Sequence, residues 1–197
     1  MKAVCVYCGA RMGVRPVHAE AARQLGTLLA TRGIRLIYGG GNVGLMGVLA
    51  DATMAAGGEV TGVIPQALLD KEVGHRAISE LIVVPDMHQR KLKMALLADA
   101  FIALPGGIGT LEELFETFTW LQLGFHGKPV GLLDVDGYYA QLTGFLDRMV
   151  EEGFLRADQL ALLHRGQDGG ALLDELARFE APDDESLARW FEKSQFI

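Results

Sequence analysis

Short apolar runs alternate along most of this chain with longer segments of helical period, and glycine clusters sit where a run gives way to a helix. The apolar runs are 3–8, 34–38, 59–64, 81–84, 100–104 and 129–133, and the helical segments between them are 16–31, 45–56, 87–98, 111–123 and 138–151. Runs this short, bounded by turn residues and separated by helices, are βαβ units feeding a parallel sheet buried on both faces. Pro16 suits a first helical turn and Gly33 a C-terminal cap, so the first helix is marked at both ends. Two shorter helical patterns, 158–163 and 171–179, are followed by an amphipathic tail carrying Trp190 and Phe191. The sequence therefore predicts one α/β domain over 1–197, with a helical C-terminal extension from about 157. Its fold class is a single doubly wound, mainly parallel sheet with helices on both faces, Rossmann-like in its winding.

Composition narrows the function classes. The charge sum is −7 with histidine neutral, which argues against nonspecific binding to nucleic acid or to anionic lipid. No apolar run nears the roughly 18 residues of a membrane helix, and the first residues lack a signal peptide's pattern, so a cytoplasmic protein is expected. Cys5 and Cys8 form a C-x-x-C inside the first strand, where side chains three apart face opposite ways, so neither a redox pair nor a metal site is expected. Glycine is in excess, 25 of 197 residues against an average of about 7%. Its placement beside apolar runs points to tight turns and close ligand approach.

Ligands of such sheets bind where the carboxyl ends of strands meet the next helix, and three of those turns stand out. In the first, Gly39, Gly41 and Gly44 satisfy G-x-G-x-x-G. It lies in the second βα unit, however, and the following strand does not end in the acidic residue a dinucleotide's ribose needs. No NAD, FAD or other cofactor is expected. Gly40, Gly41 and Asn42 are either a ligand-facing wall or glycines needed for turning and close packing. In the second, Pro105 to Glu113 reads PGGIGTLEE after an apolar strand. Its backbone N–H groups and the following helix dipole form a phosphate cradle without the lysine of a P-loop. Thr110 and Glu113 also fit a T-x-x-E capping box, so Glu113 either closes the helix or stands beside a nucleotide's sugar. In the third, Asp86 and Gln89 suit a helix start, and Arg90 and Lys91 follow where the dipole disfavours cations. Those two are either solvated surface residues or partners of an anion.

Taken together, 38–47 (YGGGNVGLMG), 87–91 (MHQRK), 105–113 (PGGIGTLEE) and 119–139 (TWLQLGFHGKPVGLLDVDGYY) resemble the Lonely Guy family of cytokinin riboside 5′-monophosphate phosphoribohydrolases. Some members of that family have been labelled lysine decarboxylases. The likeness runs from the first strand to about Phe154 and rests chiefly on PGG-x-GT-x-x-E with MHQRK upstream.

The resemblance implies hydrolysis of the N-glycosidic bond of a nucleoside 5′-monophosphate, releasing an adenine-type base and ribose 5-phosphate. By motif, Arg90 and Glu113 match the family's catalytic pair. Lys91, Gly107, Ile108, Gly109, Thr110, Leu111, Glu112 and Thr119 match its nucleotide-contacting positions, joined by Gly106 of the cradle and by the carboxylate Glu72. A homodimer is implied, with the apolar helix 111–123 a candidate for its interface. Two departures stand out: Ala10 and Arg11 follow Cys8-Gly9 where the family often has serines, and Asp134 replaces a common asparagine. The rival reading is a carrier that holds a nucleotide or phosphorylated cofactor without cleaving it.

Overall fold

The structure is a computed structural model and describes residues 1–70 and 74–181. Its elements in chain order are β1 (Ala3–Tyr7), α1 (Pro16–Thr31), β2 (Arg35–Tyr38), α2 (Gly44–Ala55), β3 (Val60–Pro65), a single turn α3 (Gln66–Leu69), β4 (Glu80–Val84), α4 (Met87–Leu97) and β5 (Ala100–Ala103). They continue with α5 (Ile108–Gln122), β6 (Val130–Leu133), α6 (Ala140–Glu151), a single turn α7 (Ala157–Leu160), β7 (Leu163–Gly166) and α8 (Gly169–Ala177). All seven strands form one parallel sheet in the order β4-β3-β2-β1-β5-β6-β7. After β1 the chain steps outward through β2, β3 and β4, then returns across the sheet to place β5 on the other side of β1. The crevice between the carboxyl ends of β1 and β5 is therefore the topological switch point, where open α/β sheets bind ligands.

The central strands are apolar throughout because both of their faces are covered. Val4, Val6, Leu36 and Ile102 pack under α1, α2 and α8, while Cys5, Tyr7, Ile37 and Phe101 pack under α4, α5 and α6. Leu25, Leu29 and Leu49 are almost fully buried in the first layer, each stabilising the fold by roughly 1.5–3 kcal/mol. Cys5 and Cys8 fall in opposite layers, both free and buried, as the strand geometry required. The first helix ends in a Schellman motif: Gly33, at φ +65°, donates to the Ala30 carbonyl at 3.0 Å and Ile34 to that of Leu29 at 2.9 Å.

The segment from 157 departs from the sequence reading. Of the helix expected over 158–163 only the turn Ala157–Leu160 forms, and Leu163–Gly166 becomes β7, pairing Leu163 with Val130 and Gly166 with Leu133. Leu-His-Arg-Gly is neither an apolar run nor an alternating one, so nothing in it marks a strand and only pairing with the edge of β6 decides its conformation. The next helix starts at Gly169 rather than 171, where Asp168 caps it by accepting from the Ala171 N–H at 2.8 Å. Trp190 and Phe191 lie outside the described residues, as does Glu72. Among the described residues no helix is long and apolar enough to cross a membrane.

Candidate active site

A cavity of about 670 Å³ opens at the switch point. Its walls come from the β1–α1 loop, the first residues of α2 (Leu45 and Met46), the first turns of α4 (Met87 and Arg90), the β5–α5 loop and Tyr138.

The β5–α5 loop supplies the floor. Helix α5 starts at Ile108 with Gly107 as its N-cap, no side chain caps it, and its first turn holds no acidic residue. The amides of that turn are thus left for an anion. Thr110 is the third helical residue and Glu113 lies a turn further on, so the T-x-x-E capping box does not form. The glycines of this loop divide into two kinds. A β-carbon on Gly106 would lie 2.1 Å from the Thr110 hydroxyl, so close packing demands a glycine there. A β-carbon on Gly107 or Gly109 would meet nothing within 4 Å. Internal packing does not explain those two, whereas close approach of a ligand does.

Glu113 lies on the buried stripe of α5 with Thr110, Leu114, Thr117, Phe118 and Leu121. Its Oε1 is 3.5 Å from Nη1 of Arg90, and both residues are more than nine-tenths buried. Burial raises the Glu113 pKa above the ordinary carboxylate value, and the guanidinium opposes that rise without cancelling it. Arg90 is held at three points. Its Nε donates to the Val63 carbonyl at 3.1 Å and its Nη2 to that of Gly39 at 3.0 Å, which leaves Nη1 turned toward Glu113. Asp86 fixes the start of this helix by accepting from the Gln89 N–H at 2.8 Å. Arg90 and Lys91 are not solvated surface residues; each is 8% exposed.

Of the residues singled out in the sequence, Arg90, Gly106, Gly107, Gly109, Thr110, Glu112 and Glu113 come together around this cavity. Ile108, Leu111 and Thr119 instead line a second, open groove on the outer face of α5, which Glu112 also reaches. Lys91 lines neither: its Nζ donates to Glu112 at 2.6 Å and Glu116 at 3.0 Å, clamping α4 to α5. Gly40, Gly41 and Asn42 are not on the cavity wall. Gly40 accepts from the His75 N–H at 2.8 Å, Gly41 bridges to Gly74, and Asn42 faces a separate polar depression beside His75. A β-carbon on Gly40, whose φ is +73°, would press on Ile64, Leu81 and Val63, so turning and packing account for it. The largest contribution that sequence reasoning missed is the β1–α1 loop, including Arg15, with His18 of the first turn of α1 beside it; Arg11, a departure from the family pattern, lies on the same wall. Its place at the end of the central strand was the available signal.

Comparison with known proteins gives the family. A protein-family profile described as "Possible lysine decarboxylase" matches residues 46–176. The chain is 50% identical over 188 residues to the cytokinin riboside 5′-monophosphate phosphoribohydrolase LOG7 of Arabidopsis thaliana, covering 95% of this chain and 87% of that protein. With LOG5 of the same plant it shares 47% identity over 191 residues, 96% of this chain and 84% of the relative. The chain belongs to the Lonely Guy family.

Solved structures show how widely the scaffold of this Lonely Guy protein is used. A molybdenum cofactor binding protein from Rippkaea orientalis superposes with a TM-score of 0.68 at 23% identity, covering 90% of this chain and 96% of that one. The molybdenum cofactor carrier protein of Chlamydomonas reinhardtii gives 0.68 at 22% identity, with 90% and 99% covered. At such identities the likeness is one of fold alone.

Proposed function

We propose that this chain hydrolyses the N-glycosidic bond of an adenosine 5′-monophosphate, plain or N6-modified, giving the free base and ribose 5-phosphate. One observation carries the reading: a buried carboxylate and guanidinium 3.5 Å apart stand beside the open amides of a helix start, in a cavity at the switch point. The amides and Thr110 hold the 5′-phosphate, and that remote binding energy presents C1′ to Glu113. As the bond breaks, positive charge gathers on C1′ and negative charge on the base. Glu113, ionised, stabilises the cationic carbon and orients the water, which gives its hydroxyl to C1′ and its proton to the departing base nitrogen. Arg90 holds the sugar or a charged oxygen through Nη1, the nitrogen that faces Glu113, and never donates its proton outright, because guanidinium stays charged in proteins.

The test is incubation with AMP and with adenosine, followed by chromatography for adenine and ribose 5-phosphate. AMP is expected to be cleaved and adenosine to be at least about 100-fold poorer, since it lacks the group the cradle grips. Bound AMP with no release of adenine would instead establish the carrier reading.

A homodimer completes the proposal. Ile108, 82% exposed, lines the groove that holds Leu111 and Thr119, and Phe125, just after α5, is 72% exposed. A second copy seated there covers this apolar face and gives those residues a role next to the site. Sedimentation of the purified protein at micromolar concentration tests it; a monomer there excludes the dimer. We place the reaction in the cytoplasm.

A further inference from the structure

Three successive carbonyls of the β5–α5 loop are held from two sides, the outer two by neighbouring tyrosines of the β6–α6 turn and the middle one by the β1–α1 loop. Leu104 accepts from the Tyr139 hydroxyl at 2.6 Å, Pro105 from the Gly9 N–H at 3.0 Å, and Gly106 from the Tyr138 hydroxyl at 2.6 Å. The peptide unit is planar and trans, so its C=O and N–H point in opposite directions. Holding the Pro105 carbonyl therefore fixes the direction of the Gly106 N–H, and holding the Gly106 carbonyl fixes that of the Gly107 N–H. Gly107 is the N-cap of α5 and has no β-carbon to restrict it, so without such a tether its peptide plane is free to rotate.

Tyr138 is itself placed by the turn after β6. The Asp134 carboxylate accepts from the Tyr139 N–H at 2.7 Å, and Asp136, at φ +54°, forms an ion pair with Arg15 of the β1–α1 loop. The Tyr138 ring meets those of Tyr139 and His18 edge-on, with centroids 4.8 and 5.5 Å apart. Although the ring is half exposed, its hydroxyl has a defined partner, and that partner is the cradle.

We infer that Tyr138 is a positioning residue for the phosphate cradle: its hydroxyl aims the Gly107 N–H at the 5′-phosphate, and through it the β6–α6 turn sets the enzyme's preference for phosphorylated nucleosides. This rests on the phosphoribohydrolase reading given above. Tyr138 acts through the Gly106 carbonyl of the cradle, so its effect falls on anion binding and not on bond cleavage.

Tyr138→Phe keeps both ring contacts and removes only the hydroxyl. A lost neutral hydrogen bond predicts that KM for AMP and the inhibition constant of ribose 5-phosphate both rise about three- to tenfold. kcat should stay within about twofold, and inhibition by adenine should not change. Amide hydrogen exchange of the 105–111 peptide in the ligand-free protein should quicken. Unchanged exchange there, or equal weakening of adenine and ribose 5-phosphate, overturns the inference. Wild-type protein that fails to cleave AMP sinks the functional reading instead, and the exchange measurement, which needs no substrate, still decides whether Tyr138 orders the loop.

Discussion

A β-carbon on Gly39 would lie 1.7 Å from Nη2 of Arg90, so the glycine that follows β2 and the arginine of α4 claim one space. The guanidinium reaches Glu113 only because that space is empty, and the Gly39 carbonyl is one of its anchors. Gly39→Ala must therefore push Arg90 away from Val63 and Glu113. We expect a stability loss of about 1–3 kcal/mol from overpacking, together with a fall in kcat/KM for AMP of more than about 100-fold, as follows when a group near the reacting atoms is misplaced. Denaturant titration and steady-state kinetics read the two effects. Wild-type kinetics in the variant would mean that Arg90 is not needed where it lies.

Glu113 gives a pH signature whose sign is fixed by its environment. Its folded pKa is raised above the ordinary 4.5 by burial, so the folded state holds the proton more tightly than the unfolded chain does. The stability this contributes is complete below the ordinary value and is lost as pH rises through the folded value. Glu113→Gln removes that titration. The melting temperature of the variant, relative to wild type, should therefore be higher at pH 7 than at pH 4. Turnover of AMP should drop by at least about 100-fold while its Kd changes little, because the carboxylate acts on charge that develops only as the bond breaks. In wild type the acid limb of kcat/KM, which reports the free enzyme, should lie above the usual carboxylate range. A Gln variant that still turns over AMP normally would remove Glu113 from the chemistry.

The layers of the fold were legible because period and punctuation agreed. Pro16 and Gly33 bracket α1 at the residues the sequence marks, and the first six strands begin and end within one residue of their apolar runs. β7 was not legible, since Leu163 to Gly166 become a strand only by pairing with β6. At the site, the local signals for Gly106 and Thr110 pointed correctly to a helix start beside a cavity, but they misplaced that start. Thr110 satisfied a capping pattern that Gly107 pre-empts. Whether Arg90 was surface or buried depended on Gly39, a residue 51 positions away. That kind of pairing appears only once the strand order is known.

Lys91 follows Arg90 in sequence yet performs a different task. Its ammonium is nine-tenths buried and donates to both Glu112 and Glu116. Burial favours its neutral form, but the two carboxylates outweigh that and raise its pKa. Lys91→Met keeps the stem and removes the charge, leaving two like charges facing each other one turn apart on α5. Thermal or urea unfolding should show a loss of about 1–3 kcal/mol. Activity of the remaining folded protein should fall far less than in Arg90→Ala. Equal losses in the two variants would place Lys91 on the nucleotide.

Gly109 separates stability from function in the opposite direction. It is the second residue of α5, outside the left-handed region, and a β-carbon there would meet no protein atom within 4 Å. Alanine costs less conformational entropy than glycine in a helix, so Gly109→Ala should leave the protein as stable or stabilise it by about 0.5–1 kcal/mol. The added methyl would nevertheless occupy the space through which an anion reaches the amides of the first turn. KM for AMP should rise at least about tenfold while the weak cleavage of adenosine is unchanged, because only the phosphorylated substrate uses that approach. Measured side by side, a more stable but AMP-blind variant would tie the open face of Gly109 to the phosphate. A variant with wild-type KM would show that the anion, if bound at all, sits elsewhere in the cavity.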